Sequence, residues 1–143
     1  MSSIAKITFC GGTGSVTGAN FLLEIDGKKI LIDCGLTQGS KLADDVNWTP
    51  FLYDPKEIDI LFITHSHIDH IGRIPKLIYE GFHGKIYSTK PTRALTLPML
   101  EDTAGILSKD RQFNLNKIYS AENIKAAFLL WLSFDYHEKI KIT

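Results

Sequence analysis

Apolar residues run in short stretches separated by polar punctuation, and the period of those stretches changes along the chain. From Ile4 to Cys10 the run is apolar and β-branched and ends on Gly11-Gly12-Thr13-Gly14, which predicts a strand followed by a turn. Phe21 to Ile25 and Lys29 to Ile32 flank Asp26-Gly27, a dipeptide suited to the positive φ angles of a two-residue turn, and so predict a hairpin. The pattern is lost from Gly35 to Pro55, which reads as a long surface loop carrying Trp48 and Phe51. Ile58 to Ile63 is nearly continuous, as expected of a strand buried on both faces, and it ends at Thr64.

Beyond that strand the period lengthens. Ile71, Ile74, Leu77 and Ile78 recur at helical spacing, with Pro75 acceptable only in a first turn, and Gly81 and Gly84 close the helix. Lys85 to Ser88 predicts another strand, and Thr92 to Asp102 a helix bent near Pro98. Ser120 can cap a third helix with Ile124, Ala127, Phe128 and Trp131 on one face. Leu129, Leu130 and Leu132 make that helix apolar almost all round, so it should be covered on more than one side. Tyr136 to Ile142 predicts a final strand. Strands first, then strand-helix-strand-helix-helix-strand, point to a layered α/β or α+β architecture.

Length and composition set limits on this picture. The 143 residues fit one domain or part of a larger one, without repeats. No apolar run approaches a membrane span, and Met1 to Lys6 lacks the apolar core of a secretory signal, so a cytoplasmic location is expected. Cys10 and Cys34 are not spaced as a Cys-x-x-Cys pair and are expected as buried free thiols. Sixteen basic and sixteen acidic side chains cancel, so overall charge advertises no polyanionic partner.

Chemistry concentrates in His65-Ser66-His67-Ile68-Asp69-His70. Three imidazoles and a carboxylate within six residues form a donor set suited to zinc, manganese or iron. In extended backbone His65 and His67 point the same way and can share one metal, while Asp69 and His70, where the chain turns into the helix, would serve a second. Surface histidines beside a helix that Asp69 caps are the alternative, and a poor account of all four together. Gly11 to Gly18 lacks the Gly-Lys-Ser/Thr ending of a phosphate loop, so turn or site-wall duty is expected there. His83 and His137 have no neighbours at ligand spacing and should face solvent. Arg73, Lys76, Lys90 and Arg93 are candidates for phosphate contacts, although a solvated helix face is the commoner role for such residues.

The segment matches the His-x-His-x-Asp-His signature of the metallo-β-lactamase fold hydrolases at His65, His67, Asp69 and His70. Ile71 to Leu77, Gly84 to Thr89 and Thr92 to Leu95 resemble the β-CASP subfamily of RNA-processing nucleases, which includes mRNA 3′-end cleavage factors; Gly14 to Phe21 and Leu31 to Gly35 are similar too. The resemblance implies the N-terminal half of an αββα sandwich, two divalent metal ions (zinc foremost, manganese or iron as alternatives) and a ribonuclease acting on RNA. It gives Asp33 a supporting role behind the metal ligands and Asp69 a catalytic one. A carboxylate at a strand end can orient a ligand imidazole and fix its tautomer, although capping the turn at Gly35 is the structural alternative.

The family site also uses a further His, a bridging Asp and a late β-CASP His, none matched here; Tyr136 to Ile140 resembles the stretch just upstream of the third-motif His. Residues 1–143 are therefore expected to be a partial domain, inactive alone. Its partners would be the missing C-terminal half of the domain and the β-CASP domain, with a homodimer as a further candidate. Rival expectations are a hydrolase of small thioesters or lactones, a di-iron electron-transfer protein, which His67 argues against, and a non-catalytic fragment.

Overall fold

The computed structural model describes residues 3–39 and 45–142. Its sheet grows in chain order. β1 (Lys6–Gly11), β2 (Asn20–Ile25) and β3 (Lys28–Ile32) pair antiparallel, and β4 (Ile60–Phe62), β5 (Lys85–Thr89) and β6 (Trp131–Phe134) extend it in parallel. The β2–β3 turn is the expected one: Asp26 and Gly27 both hold positive φ, 49° and 75°. Between the strands lie α1 (Ile68–Ile71), α2 (Ile74–Tyr79), α3 (Lys90–Leu107), α4 (Leu115–Ile118) and α5 (Ala121–Leu129). The mixed α/β layering read from the sequence is present.

Register decides where the core sits. Leu22, Leu31, Leu61, Ile86 and Trp131 stand side by side across five strands, and all are buried. They merge with Ile71, Ile74 and Leu77 of α1 and α2, Leu100 of α3, and Ile124 and Ala127 of α5 into one cluster. One residue along each strand, the neighbouring row is Phe9, Phe21, Ile32, Phe62, Tyr87 and Leu132, and it faces the other way. None of these joins the buried cluster; Phe9 is 62% exposed and Leu132 48%.

Several boundaries differ from the expectations. The third helix stops at Leu129, so Trp131 and Leu132 belong to a strand. Pairing with β5 accounts for this: Trp131 turns inward, where its Nε1 donates to Ser88 Oγ at 2.8 Å, and Leu132 turns outward. Leu129 is 77% exposed, so the all-round burial expected of that helix does not occur. Tyr136 to Ile142 is no strand; the chain turns after Asp135, whose N–H donates to Glu138 Oε2 at 3.0 Å, and His137 takes a φ of 63°. The helix expected from Thr92 begins at Lys90, because Pro91 lies in its first turn where a missing N–H costs nothing, and it continues through Pro98 to Leu107. The helix expected around Ile71 to Ile78 forms as two pieces, α1 and α2, split at Gly72 and Arg73.

The stretch from Gly35 to Pro55 is more strap than surface loop. Asn47 is buried and pairs with both backbone groups of Thr37, at 2.7 and 2.9 Å. Phe51 and Tyr53 stack and pack on the core, and Trp48 meets Tyr119 edge-on. Residues 40–44 of that expected loop lie outside the described residues.

Candidate metal centre

The site forms where β3 and β4 end side by side. Asp33 follows β3 in the left-handed region, φ 60°, and is 2% exposed. Its N–H donates to the Phe62 carbonyl at 2.8 Å, which holds it beside the exit of β4. From there the carboxylate collects three donors. Thr64 N–H reaches Oδ1 at 2.8 Å, while Thr64 Oγ1 and His70 Nδ1 both reach Oδ2 at 2.7 Å.

Backbone hydrogen bonds fix α1 against this corner. Cys34 N donates to the His70 carbonyl at 2.8 Å, Leu36 N to the Ile68 carbonyl at 3.1 Å, and Ala19 N to the Asp69 carbonyl at 2.9 Å. A Cβ on Gly35 would overlap the Asp69 carbonyl, so only glycine permits so close an approach. The glycine-rich Gly11 to Gly18 stretch thus leads, through Ala19, into the wall of the site. Asn20 Nδ2 donates to the Asp33 carbonyl at 2.8 Å, and Tyr53 OH to Asn20 Oδ1 at 2.9 Å, so the strap also supports the corner.

The four candidate ligands come together. The His65 ring centroid lies 4.8 Å from that of His67 and 3.9 Å from that of His70, and His70 Nε2 is 3.4 Å from Asp69 Oδ2. His67 occupies the N-cap position of α1 without making a cap bond, and Asp69 lies inside the helix, so neither side chain is spent on capping. Burial, then the neighbouring His70 and His67, hold the His65 imidazole below the usual histidine range.

These residues suit a metal in donor type and in one further respect. The Asp33 carboxylate carries no proton to give, so His70 Nδ1 must be the donor between them, and a neutral His70 leaves Nε2 a bare acceptor. It then faces Asp69 Oδ2, another acceptor, at 3.4 Å. A cation between them, or a second proton on His70, satisfies both. Among the described residues no three His, Cys, Asp or Glu side chains form a finished metal cage. The fit is that of part of a ligand set.

Two basic candidates are corrected. Arg73 and Lys76 are buried, 7% and 1% exposed, and available neither to a phosphate backbone nor to solvent. Arg73 Nε donates to the Gly35 carbonyl at 2.6 Å; Lys76 Nζ donates to the Thr49 carbonyl at 3.0 Å, pairs with Glu80 at 2.8 Å and lies 3.8 Å from the Phe51 ring centroid. Burial lowers the Lys76 pKa while Glu80 opposes the shift. Both cations brace the strap against the helix. Lys90 pairs with Asp135 at 2.7 Å and Arg93 sits over Phe128. His83 and His137 are exposed. Cys10 and Cys34 are free thiols, and burial raises Cys34 to about 11. Thr64 has no mark in the hydrophobic pattern; the only hint is a hydroxyl at a strand exit directly before a histidine.

The chain has relatives among known proteins. The family described as the metallo-beta-lactamase superfamily matches residues 14–129. Over 104 residues the chain is 42% identical to ribonuclease TTHA0252 of Thermus thermophilus, covering 73% of this chain and 24% of that protein. It is 38% identical over 110 residues to transcription termination factor FttA of Methanosarcina mazei, covering 73% and 17%. With cleavage and polyadenylation specificity factor 73 of Drosophila melanogaster it shares 31% over 139 residues, covering 96% and 20%. The chain spans about a quarter or less of the length of these curated relatives.

Proposed function

The chain belongs to the metallo-β-lactamase superfamily, and from that premise we propose that it is the metal-binding portion of a β-CASP ribonuclease that hydrolyses RNA phosphodiester bonds. The observation that carries the reading is the Asp33 corner, which gathers His65, Asp69 and His70 at the exits of two parallel strands, with His67 beside them. Relatives named as a ribonuclease and as a cleavage factor favour RNA over small thioesters or lactones as the substrate.

His65 and His67 would hold one divalent ion and Asp69 with His70 a second, zinc being the first choice for three imidazoles and a carboxylate. When bound, such ions neutralise charge on the scissile phosphate and acidify water. The chain's own residues hold the ligands. Asp33 orients His70 through Nδ1, and the backbone bonds from Ala19, Cys34 and Leu36 keep α1 at the strand exits. The group that protonates the leaving oxygen is assigned to the rest of the protein.

The open row from Phe9 to Leu132 belongs to the same reading. It would seat the remaining strands of the domain, completing a sandwich whose other ligands arrive with them. Sedimentation separates this from a face-to-face homodimer, which would show twice the mass at micromolar concentration.

The test is RNA cleavage by the full-length protein with and without chelator. Cleavage should stop on chelation and resume with zinc or manganese. Asp69→Ala combined with His70→Ala should abolish it while the fold survives. Full cleavage by that double variant, or cleavage insensitive to chelation, overturns the proposal, and preferential turnover of a thioester or lactone panel replaces RNA as the substrate.

A further inference from the structure

Thr64 joins the orienting carboxylate Asp33 to the proposed ligand His65 through a single hydroxyl. Its Oγ1 lies 2.7 Å from Asp33 Oδ2 and 3.0 Å from His65 Nδ1. The hydroxyl has one proton and the carboxylate has none, so the short contact with Asp33 claims that proton. Thr64 Oγ1 can then only accept from His65, which must carry its own proton on Nδ1. His70 stands in the same relation to the other side of Asp33 Oδ2, again donating from Nδ1. One arrangement of protons satisfies all three contacts: His65 Nδ1–H to Thr64, Thr64 O–H to Asp33, and His70 Nδ1–H to Asp33.

We propose that Thr64 is a positioning residue that extends the orienting effect of Asp33 to His65, so that one buried carboxylate presents the Nε2 atoms of both His65 and His70 as bare ligands. Resting on the metal-site reading above, the inference adds a mechanism for matching two imidazoles that lie on different elements, one at a strand exit and one in α1. Thr64 N–H, donating to Asp33 Oδ1 at 2.8 Å, holds the hydroxyl in place from its own backbone. Serine can replace the hydroxyl. Valine matches threonine in shape and cannot.

Long-range nitrogen–proton NMR of the metal-free protein, at a pH where the imidazoles are neutral, reads the tautomers directly. His65 and His70 should both be Nδ1–H. In Thr64→Val, His65 should revert to the Nε2–H form while His70 keeps Nδ1–H, and Thr64→Ser should preserve both. Zinc affinity should fall about 10–100-fold in Thr64→Val and recover in Thr64→Ser. An Nε2–H His65 in the wild type, or a His65 tautomer indifferent to Thr64→Val, overturns the relay whatever the metal does. Correct tautomers with no zinc binding in the full-length protein would uphold the relay and overturn the metal-site reading instead.

Discussion

Leu61 and Phe62 are neighbours on β4 and live in different surroundings. Leu61 is fully buried in the cluster that the sheet shares with the helices, whereas Phe62 lies in the outward row beside Tyr87, their ring centroids 5.6 Å apart, outside that cluster. The outward row is apolar across all six strands and the inward row across five, with Thr8 at the β1 edge. A sheet that builds two apolar faces and covers one is organised for burial on both, which is what a central layer of a sandwich requires and a sheet with one wet face does not. On its helical side the site corner is well supported, with Asp33 tied to α1 through His70.

The largest effect expected is at Leu61. Leu61→Ala should cost about 2–5 kcal/mol in denaturant unfolding, because the cavity opens inside a packed cluster. Phe62→Ala in the same chain should cost less, about 1–2 kcal/mol, since the ring is only partly removed from water. Equal costs would break the distinction between faces. In the full-length protein as proposed above, with further strands seated on the outward row, the Phe62 cost should rise toward that of Leu61, which would sharpen it. Smaller again, Tyr53→Phe removes the bond to Asn20 and should cost about 1 kcal/mol on the covered side alone. The smallest effect is one of pH at the strand exits between the two faces. His65 titrates below its ordinary value in the folded state, so the folded protein binds fewer protons than the unfolded one, and stability should decline as pH falls below about 6.5. Melting temperature against pH should show the decline, and His65→Gln should flatten it.

Much of this is legible in the amino-acid sequence alone. The hairpin at Asp26-Gly27, the buried strand before Thr64 and the ligand-type residues after it depend on local patterns that tertiary structure had no reason to overrule. What was not legible depended on partners distant in sequence. Trp131 reads as a helix residue until β5 offers it a strand to pair with and Ser88 offers its indole an acceptor. Lys76 reads as a solvated cation because nothing nearby in sequence announces that Phe51 and the Thr49 carbonyl will lie over it. The Thr64 link stayed hidden for the same reason: its meaning comes from Asp33, 31 residues earlier.

The left-handed backbone at Asp33 limits what evolution or an engineer can put there. Positive φ admits glycine, asparagine and aspartate with little strain, while a carboxylate facing three donors admits aspartate and glutamate. The two sets share one member. Glutamate fails on the backbone, asparagine on the acceptors it must supply to both Thr64 and His70, and glycine on having no side chain at all. A saturation library at position 33 should therefore return a single amino acid, whereas positions 65 to 70 can in principle trade one metal ligand for another.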